Sequence, residues 1–344
     1  MKMIYVGTLA SSPDRDSQWI KSFESLGVNV IPFSTSLNYK SSLLNKIVIR
    51  LHLGAEVIKM RKKLINLVEV ERPDWIHFRL PVDFDRKTLK VLKNKNIFLT
   101  EYFNDDPFSD KRLKFYYRLF KNTLNIFDIH YVYRKRNIDD FKNHGALMVY
   151  HCPPAYVPWR HFKINSGSKF IYDAVFIGHW EDDWRVKCLE TIQQQGYDVM
   201  IKGGMWNSVI KDSNSLKNLY PINGVYDNEY NQLYGNALAG ICFFSKINRD
   251  TWTERALEII AVGGVLVCER TIEAETYFKD REEAFYFSTI EELIEIIKFL
   301  KTNPEIREKV KNSGFKKLKN GNHSVLDRAT MIFQHVCEFK NTYN

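Results

Sequence analysis

Strand-like and helix-like segments alternate along almost the whole chain. Short apolar runs such as residues 4–6 and 75–78 are separated by stretches in which apolar residues recur every three or four positions, as in 16–26. In consecutive strand–helix–strand units of this kind the two strands lie parallel, and the crossover between them is right-handed. The alternation therefore predicts an α/β fold made of parallel sheets with helices on both faces.

One segment interrupts this alternation. Residues 151–170 carry three prolines and a short polar stretch, which is typical of a connector between domains. A chain of 344 residues is long for one domain and suits two. We therefore expect a Rossmann-like domain over residues 1–155, a linker over 156–170, a second Rossmann-like domain over 171–324 and a final helix over 325–344.

The composition narrows the choice of partners and compartments. The formal net charge is +9, which indicates an anionic partner such as nucleic acid, anionic lipid or a sugar nucleotide. No apolar run reaches the roughly 18 residues that a membrane span needs, and the first residues read as a strand and not as a signal peptide. The cysteines are scattered and lack metal-site spacing, which favours free thiols in a reducing cytoplasm.

Two nucleotide-binding motifs are missing from the sequence. After the first strand the chain reads Gly-Thr-Leu-Ala-Ser-Ser-Pro from Gly7. It lacks the Gly-x-Gly-x-x-Gly that lets the pyrophosphate of a dinucleotide approach the backbone. A Walker A sequence is absent as well. A NAD-dependent enzyme is therefore disfavoured.

Residues 250–264 contain the strongest indication of a binding site. Thr251 followed by Glu254 has the spacing of a capping box, which predicts that a helix begins near Thr251. Gly263 and Gly264 end that helix, and the apolar residues 265–268 form a short buried strand. The N-terminus of a helix that follows a parallel strand attracts anions through its free N–H groups and its dipole.

The first turns of this helix supply candidate ligands for the phosphates and ribose of a nucleotide. They are Asp250, Thr253, Arg255 and Glu258. The alternative interpretation is purely structural, with Glu254 as the capping residue, Glu258 paired with Arg255 and the two glycines as the C-cap.

The segment around residue 178 offers two further candidates for donor binding. Gly178 ends a predicted strand over 170–177, and Arg185 lies in the first turn of the helix that follows. A cation is unfavourable at that end of a helix, so Arg185 either shares an anion with the helix or pairs with Glu181 or Asp182.

Two more candidates lie at the end of the next predicted strand, over 199–202, and in the segment that follows it. Lys202 is the last residue of the strand, and two glycines that would let a ligand approach the backbone come after it. Trp206 follows these glycines and either stacks on a flat base or packs in the core.

The first half of the chain offers candidates for the acceptor side. Residues 101–107 directly follow a predicted strand, so their carboxylates lie at the edge where doubly wound sheets bind ligands. Asp105 is the candidate general base, and Thr8 and Asp106 are the candidates for contacts with an acceptor. An Asn-Asp-Asp-Pro turn that forms for purely local reasons is the alternative.

Two basic segments of the first half are candidates for contact with a membrane surface. Basic amphipathic helices with aromatic residues lie on anionic membranes, although a solvated helix face with inward aromatics explains the same pattern. No RNA- or DNA-binding signature supports nucleic acid as the partner. The basic residues are Lys40, Lys46, Arg50, Lys59, Arg61, Lys62, Lys63, Lys111, Arg112, Lys114, Arg118 and Lys121.

The second half of the chain, over residues 170–335, resembles the CgeB-like (spore-maturation type) group of GT-B glycosyltransferases. The core of the resemblance is Asp250-x-x-Thr253-x-Arg255-x-x-Glu258-x-x-Ala261-x-Gly263-Gly264. The other matching pieces are Val175-Phe-Ile-Gly178 with Arg185, Gly224-Val225 with Glu229-Tyr230 and Tyr234, residues 283–293, Asn303-Pro304, and His323 with Arg328.

The resemblance implies a GT-B fold, in which two Rossmann-like domains have parallel sheets facing across a cleft and the last helix returns to the first domain. It implies a nucleotide diphosphate sugar, expected to be a UDP-sugar, as co-substrate of the second domain, with no metal and no other cofactor. Glu258 would bind the ribose hydroxyls and Arg255 would neutralise the diphosphate. Asp250 would lie near the sugar, at a position where the family usually has glutamate.

The activity implied by the resemblance is transfer of a hexose-type sugar to a hydroxyl of a glycan or lipid-linked acceptor, in bacterial surface polysaccharide or glycoconjugate synthesis. Asp250 and Arg255 would act in catalysis, with Asp105 as base if the reaction inverts the anomeric centre. Such an enzyme is expected in the cytoplasm, where its basic first domain could contact the inner face of the membrane. The alternatives are a nucleotide-sugar epimerase or hydrolase on the same fold and a non-catalytic nucleotide-sugar binding module.

Overall fold

The computed structural model describes residues 1–9, 15–37, 51–110, 115–164 and 171–343. The chain divides into two compact units. The first unit comprises Met1–Pro153 together with Val325–Asn344, and the second comprises Pro154–Ser324. No described helix combines the length and the apolar character needed to cross a bilayer.

The first unit is built on a parallel sheet. Its strands are β1 Lys2–Gly7, β2 Asn29–Ser34, β3 Trp75–Arg79, β4 Phe98–Phe103, β5 Ile129–Val132 and β6 Val149–His151. They lie in the order β2-β1-β3-β4-β5-β6, with β1 aligned so that Met3 pairs with Trp75 of β3. Every residue of β4 is buried, as expected for a central parallel strand with helices on both faces.

The helices of the first unit agree in part with the sequence predictions. They are α1 Arg15–Ser25, α2 Ala55–Glu71, α3 Arg86–Lys93, α4 Arg118–Lys121 and α5 Lys135–Asn143. The helix predicted over 110–123 is wrong in extent, since only α4 forms in its described part and a 3-10 turn at Leu124–Ile126 follows it. Phe120 of α4 stacks on Phe103 of the sheet, with ring centroids 4.2 Å apart. The predicted helical region over 41–70 begins at Ala55 in its described part, after Gly54.

The second unit repeats this architecture on a second parallel sheet. Its strands are β7 Tyr172–Ile177, β8 Val199–Lys202, β9 Ala237–Cys242, β10 Leu266–Glu269 and β11 Phe285–Phe287. They lie in the order β11-β10-β9-β7-β8. In chain order, β8 is added on one side of β7, and β9, β10 and β11 are then added on the other side. The carboxyl ends of β7 and β9 form the point where strand order reverses, which is where sheets of this type bind ligands.

The helices of the second unit cover both faces of this sheet. They are α6 Arg185–Gln194, α7 Asn207–Ile210, α8 Asp227–Gly235, α9 Glu254–Ala261, α10 Ile272–Tyr277, α11 Ile290–Thr302 and α12 Pro304–Asn320. Buried residues of α6 and α11 share one core with the sheet, and those of α8 and α9 share the other. The parallel α/β architecture predicted from the alternation is confirmed.

The last helix, α13 Val325–Tyr343, belongs to the first unit. It packs against α1, and Phe339 lies 4.7 Å from Phe98 between ring centroids. The Arg328 side chain donates from Nε to the carbonyl oxygen of Pro153 at 2.9 Å. The polypeptide thus returns to the first unit after completing the second.

The beginning of α9 differs from the capping box predicted for Thr251 and Glu254. The helix begins at Glu254, and Thr253 is its N-cap residue. The Thr251 hydroxyl donates to the carboxylate of Glu273 instead of capping α9. The end of the helix is as predicted, because Gly263 has a φ of +79°, which favours glycine.

Candidate functional site

The candidate site of the second unit centres on the first turns of α9. Residues 243–253 connect the carboxyl end of β9 to this helix, so the helix begins beside the point where strand order reverses. Asp250 is half-buried in this connection, and its N–H donates to the carbonyl oxygen of Ser245 at 2.9 Å. The Thr271 hydroxyl holds the same loop by donating to the carbonyl oxygen of Thr251 at 2.6 Å. The loop that presents α9 is therefore fixed at both ends.

Arg255 and Glu258 of α9 meet Tyr230 of α8. The Tyr230 hydroxyl donates to Oε2 of Glu258 at 2.6 Å, and Nη1 of Arg255 donates to the same hydroxyl at 3.0 Å. The Arg255 guanidinium lies over the Tyr230 ring, 5.5 Å from its centroid, and 3.8 Å from the Glu258 carboxylate. The tyrosine thus fixes the cation and the carboxylate relative to each other.

The electrostatics of this cluster keep Arg255 charged and Tyr230 neutral. Burial alone would lower the pKa of Arg255, but Tyr230, Tyr234 and Glu258 outweigh it and hold that pKa well above its ordinary value. Burial raises the pKa of Tyr230 well above its ordinary value, so its hydroxyl stays a hydrogen-bond donor. The Arg255 side chain is 28% exposed, whereas that of Glu258 is only 9% exposed. The cation is therefore the part of the cluster that an incoming anion can reach.

A histidine from the predicted linker completes the surroundings of Glu258. His161 places Nε2 3.7 Å from Oε1 of Glu258 and packs its ring 5.6 Å from that of Tyr230. The N–H of Val157 donates to Nδ1 of His161 at 3.2 Å, so Nδ1 is an acceptor and the ring proton lies on Nε2, towards the carboxylate. No pattern in the sequence indicates a function for His161, because an irregular connector has no periodicity from which a buried side chain can be inferred.

The glycines after β7 and β8 fit each other and leave no space for a ligand between them. Gly203 has a φ of +132°, and a Cβ on it would lie 2.0 Å from the carbonyl oxygen of Gly178. The N–H of Gly178 donates to the carbonyl oxygen of Lys202 at 2.9 Å. The close approach that requires Gly203 is therefore an approach of backbone to backbone. Lys202 itself is half-buried at the end of β8.

Arg185 is bound by acceptors of its own loop. It is 4% exposed, and its Nε and Nη2 donate to the two carboxylate oxygens of Asp183, each at 2.7 Å. Its Nη1 donates to the carbonyl oxygen of His179 at 2.7 Å, and Glu181 lies 3.5 Å away. The predicted pairing of Arg185 with Glu181 is therefore present, but the principal partner is Asp183, which the sequence interpretation did not name.

Trp206 packs in the core of the second unit, and this corrects the interpretation that it stacks on a base. The side chain is 1% exposed, and its ring meets Phe176 edge to face at 5.8 Å. Its indole N–H donates to the carbonyl oxygen of Gly178 at 2.8 Å, which satisfies the polar group of a buried tryptophan. Neither face of the ring is available to a flat ligand.

The acceptor-side candidates of the first unit lie in different environments. Thr8 is exposed, with its hydroxyl 3.5 Å from that of Thr35. Asp105 is half-buried and accepts a hydrogen bond from the Tyr117 hydroxyl at 3.0 Å. Asp106 is fully buried and accepts from the N–H of Phe108 and from Nδ2 of Asn137, each at 3.0 Å. The structure therefore corrects the role given to Asp106, which forms the local turn and cannot reach an acceptor.

A buried carboxyl–imidazole pair joins β4 and β5. His130 of β5 is paired with Glu101 of β4 through Nδ1 and Oε1, 2.7 Å apart, and its Nε2 donates to the carbonyl oxygen of Leu124. Both side chains are fully buried, and Oε2 of Glu101 has no hydrogen-bond partner among the described residues. Burial outweighs the contacts with His130 and raises the pKa of Glu101.

The raised pKa of Glu101 predicts a loss of stability as pH rises. The folded state retains a proton that the unfolded carboxyl releases near pH 4.5, so the stabilisation is complete below that pH and decreases above it. The Glu101→Gln variant cannot lose this proton, and its free energy of unfolding should rise relative to the wild type by up to about 1.4 kcal/mol per pH unit above that point. Urea unfolding of both proteins between pH 5 and 8 measures the difference, and a pH-independent difference would contradict the assignment.

Half of the basic residues named for the predicted membrane-surface segments lie outside the described residues. Lys40, Lys46, Arg50, Lys111, Arg112 and Lys114 all lie there. Of the remainder, Arg61 of α2 is 8% exposed and is held by Asp85 and by the carbonyl oxygen of Asp83. In the part of the chain that the structure describes, no group of three or more His, Cys, Asp or Glu side chains is arranged to hold a metal ion.

Comparison with known proteins places this geometry in a known fold. Anabaena Alr3699/HepE in complex with UDP and glucose is similar over 98% of this chain and 100% of its own, with a TM-score of 0.67 and 12% identity. Sucrose-phosphate synthase from Thermosynechococcus elongatus is similar over 99% and 100%, with a TM-score of 0.66 and 11% identity. The fold is that of the GT-B glycosyltransferases.

The same fold also carries other chemistry. A putative UDP-N-acetylglucosamine 2-epimerase from Listeria monocytogenes is similar to this chain over 99% of its length and 97% of the epimerase, with a TM-score of 0.56 and 9% identity. No curated protein matches the chain in sequence. At identities this low the structural similarity establishes the GT-B fold only, so an activity has to be inferred from the residues of the site.

A family model adds sequence evidence for the second unit. Residues 185–334 match the family described as Glycosyl transferase-like. That segment contains α8 and α9 and thus all of Tyr230, Arg255 and Glu258. The GT-B fold predicted from the resemblance is confirmed, and the cluster lies inside the segment that matches a glycosyltransferase family.

Proposed function

We propose that this protein is a glycosyltransferase of the CgeB-like group that transfers a sugar from a nucleotide diphosphate donor to a hydroxyl group. The observation that carries the proposal is the cluster of Arg255, Tyr230 and Glu258 at the beginning of α9. It joins a partly exposed cation to a helix N-terminus beside the strand reversal point. These two features favour a phosphate group for the same physical reason, since both place positive charge at one position.

In this proposal Arg255 and the positive end of the α9 dipole bind the diphosphate. Negative charge builds up on the leaving phosphate as the glycosidic bond breaks, and a preorganised cation stabilises that charge more in the transition state than in the ground state. Tyr230 holds the guanidinium in place through its hydroxyl, 3.0 Å from Nη1. Arg255 therefore accelerates the chemical step, and Tyr230 positions it.

Glu258 is proposed to bind the ribose. A carboxylate accepts hydrogen bonds from two adjacent hydroxyls, and Oε2 of Glu258 is already oriented by the Tyr230 hydroxyl at 2.6 Å. The Glu258 side chain is 9% exposed, and the Arg255 side chain beside it is 28% exposed. This arrangement would place the diphosphate and the ribose on residues three positions apart, on one face of α9.

The donor is proposed to be a UDP-sugar, and the acceptor a glycan or lipid-linked hydroxyl in bacterial surface polysaccharide or glycoconjugate synthesis. The similar HepE structure is a complex with UDP and glucose, which supports the choice of base. Asp250 would lie beside the sugar, and Asp105 would take the acceptor proton if the reaction inverts the anomeric centre. No metal takes part in this scheme, because Arg255 and α9 supply the positive charge; turnover that disappears in EDTA would refute this point.

The proposed location is the cytoplasm, with the basic first unit near the inner face of the membrane. The net charge of +9 supports attraction to anionic lipid. This electrostatic attraction is screened beyond a Debye length of about 10 Å at 0.1 M salt. Co-sedimentation with vesicles containing phosphatidylglycerol tests this location. Failure to bind such vesicles at low salt would remove the membrane from the proposal and leave the donor site unaffected.

An epimerase or hydrolase on the same fold is the second candidate, favoured by the likeness to the Listeria epimerase. The products distinguish the two activities. An epimerase would convert the UDP-sugar alone into its stereoisomer without releasing UDP, and a hydrolase would release UDP and free sugar without an acceptor. A glycosyltransferase releases UDP in proportion to glycosylated acceptor.

A panel of nucleotides tests the proposed donor class by thermal shift. UDP at 100 times its Kd should stabilise the second unit by about 2.7 kcal/mol, which corresponds to a shift in Tm of about 5–11 °C for a unit of this size. GDP, dTDP and ADP at equal concentration should give smaller shifts. Equal shifts with all four nucleotides would contradict base selectivity, and no shift with any of them would contradict the nucleotide site itself.

A further inference from the structure

A second concave site lies in the same unit, at the carboxyl ends of β10 and β11. It is an open pocket of about 420 Å³, within the roughly 300–1,000 Å³ typical of small-molecule sites. Its lining comes from the loop before α6, the loop after β9 and the ends of the two strands, all within the second unit. None of the residues proposed above to bind the donor lines this pocket, although the loop before α9 contributes Lys246 to it.

The pocket has an aromatic wall held in a fixed orientation. Trp184 is half-buried, and its ring lies 5.7 Å from that of the buried Phe287 at an interplanar angle of 39°. The indole N–H donates to Oε1 of Glu269 at 2.5 Å. A tryptophan anchored at its polar edge and partly open to solvent presents an apolar face, which is the surface on which the C–H face of a sugar ring stacks.

The charges around the pocket are paired before any ligand binds. Glu269 is 4% exposed and also accepts from the N–H of Phe244 at 2.6 Å and from Nζ of Lys246 at 3.0 Å. Arg270 is held by Glu275 and Asp280. Each cation of the lining thus already has a carboxylate partner and is not left over to attract a phosphate, and the paired groups retain donors and acceptors at their edges. A neutral polyol is the class of ligand that this rim suits.

One hydroxyl of the rim is available to a ligand. Ser288 is exposed and follows β11, and its side chain makes no hydrogen bond within the described residues. The backbone N–H of Ser288 donates to Glu292 at 2.6 Å, so its position is fixed. The hydroxyl can therefore exchange its water partner for a sugar hydroxyl without breaking a contact of the protein.

Two hydrogen bonds connect the pocket to the loop before α9. Thr271 of the pocket donates to the carbonyl oxygen of Thr251, and the N–H of Lys246 donates to Glu181 at 3.1 Å. The pocket and the proposed nucleotide site thus share the loop over residues 243–253. A sugar held here would lie beside the loop that carries Asp250.

We propose that this pocket is a saccharide subsite, in which one hexopyranose ring stacks on Trp184 and its hydroxyls bind Lys246 and Ser288. The identity of the sugar as donor or acceptor rests on the proposed glycosyltransferase function, whereas saccharide binding itself does not. Recognition of the ring requires no attached phosphate or nucleotide, since each lining cation already has a carboxylate partner.

Saccharide binding by the full chain tests the proposal. Saturation-transfer NMR with glucose, galactose, mannose and N-acetylglucosamine should show binding of at least one of them to the wild type. Trp184→Leu should weaken that binding at least 10-fold and Ser288→Ala about threefold, while Lys279→Met, an exposed lysine outside the pocket, should leave it unchanged. If Trp184→Leu does not fold, Ser288→Ala decides, because its hydroxyl has no partner in the described protein.

Further measurements distinguish a donor sugar from an acceptor sugar, and the saccharide subsite from the proposed glycosyltransferase function. A gain in affinity of UDP-hexose over UDP that disappears in Trp184→Leu assigns the ring to the donor, and a gain that persists while free hexose binding is lost assigns it to the acceptor. Hexose binding without UDP binding would overturn the proposed function and retain this site. No hexose binding to the wild type, or equal binding by the folded Trp184→Leu variant, would overturn the subsite.

Discussion

Replacing Arg255 with methionine should lower kcat by about 10²- to 10³-fold while the protein remains folded. This is the effect of removing one group that stabilises developing negative charge in a preorganised site. The side chain is 28% exposed and its chief contact is the Tyr230 hydroxyl, so the substitution leaves Tyr230 bound to Glu258 at 2.6 Å. Release of the nucleoside diphosphate from the donor is the measurement.

Two comparisons make this prediction specific. Arg281→Met removes an arginine of the same unit that lies over Phe299, away from α9, and should leave kcat unchanged. Arg255→Lys keeps the charge but loses the planar donor fork, so its kcat should fall between those of the wild type and Arg255→Met. An Arg255→Met protein with wild-type turnover would remove the cation from the proposed chemistry.

Replacing Glu258 with glutamine should act mainly on donor affinity. Hydrogen bonds to a charged group contribute about 1.5–3 kcal/mol each, so weakening two bonds to ribose should raise the Kd for UDP by about 10- to 100-fold. The ribose does not change during transfer, so kcat at saturating donor should fall much less than KM rises. The amide also fits the space of the carboxylate and can accept from Tyr230.

A deoxyribose donor provides the matched control for Glu258. The 2′-deoxy nucleotide lacks one of the two hydroxyls, so wild type should bind it less tightly than UDP, and Glu258→Gln should discriminate less between the two nucleotides. Titration calorimetry of both proteins with both nucleotides measures this. Equal discrimination by wild type and variant would show that Glu258 does not contact the ribose, whatever its effect on stability.

The sheets and most helices could be predicted from the sequence because they depend on local periodicity. Each buried strand is a short apolar run, and each helix shows apolar residues every three or four positions. The errors arose where tertiary contacts outweighed the local pattern. Thr251 has the spacing of a capping residue, but Glu273 from α10 binds its hydroxyl, and α9 begins three residues later.

The site was predictable only where its residues belong to one element. Arg255 and Glu258 are three positions apart on α9, a spacing that places two side chains on the same helix face. Tyr230 was visible in the resemblance but had no assigned role, and His161 comes from a connector without any pattern. Their meeting depends on packing between α8, α9 and residues 157–161, which local sequence does not encode.

Charged and aromatic side chains near glycines were the least predictable. Arg185 and Trp206 are residue types that bind phosphates and stack on bases. Their N–H donors are nevertheless bound inside the protein, those of Arg185 by Asp183 and that of Trp206 by the carbonyl oxygen of Gly178. A sequence shows that a donor is present but not which acceptor lies nearest. The Trp184 pocket was missed for the same reason, since its lining is drawn from loops far apart in the chain.

The central claim is that the cluster on α9 binds a nucleotide diphosphate, and titration calorimetry with UDP tests it most directly. The account predicts one UDP site per wild-type chain, an affinity unchanged in Arg281→Met, and a Kd raised at least 10-fold in Arg255→Met. UDP binding of equal affinity in wild type and folded Arg255→Met would contradict the account.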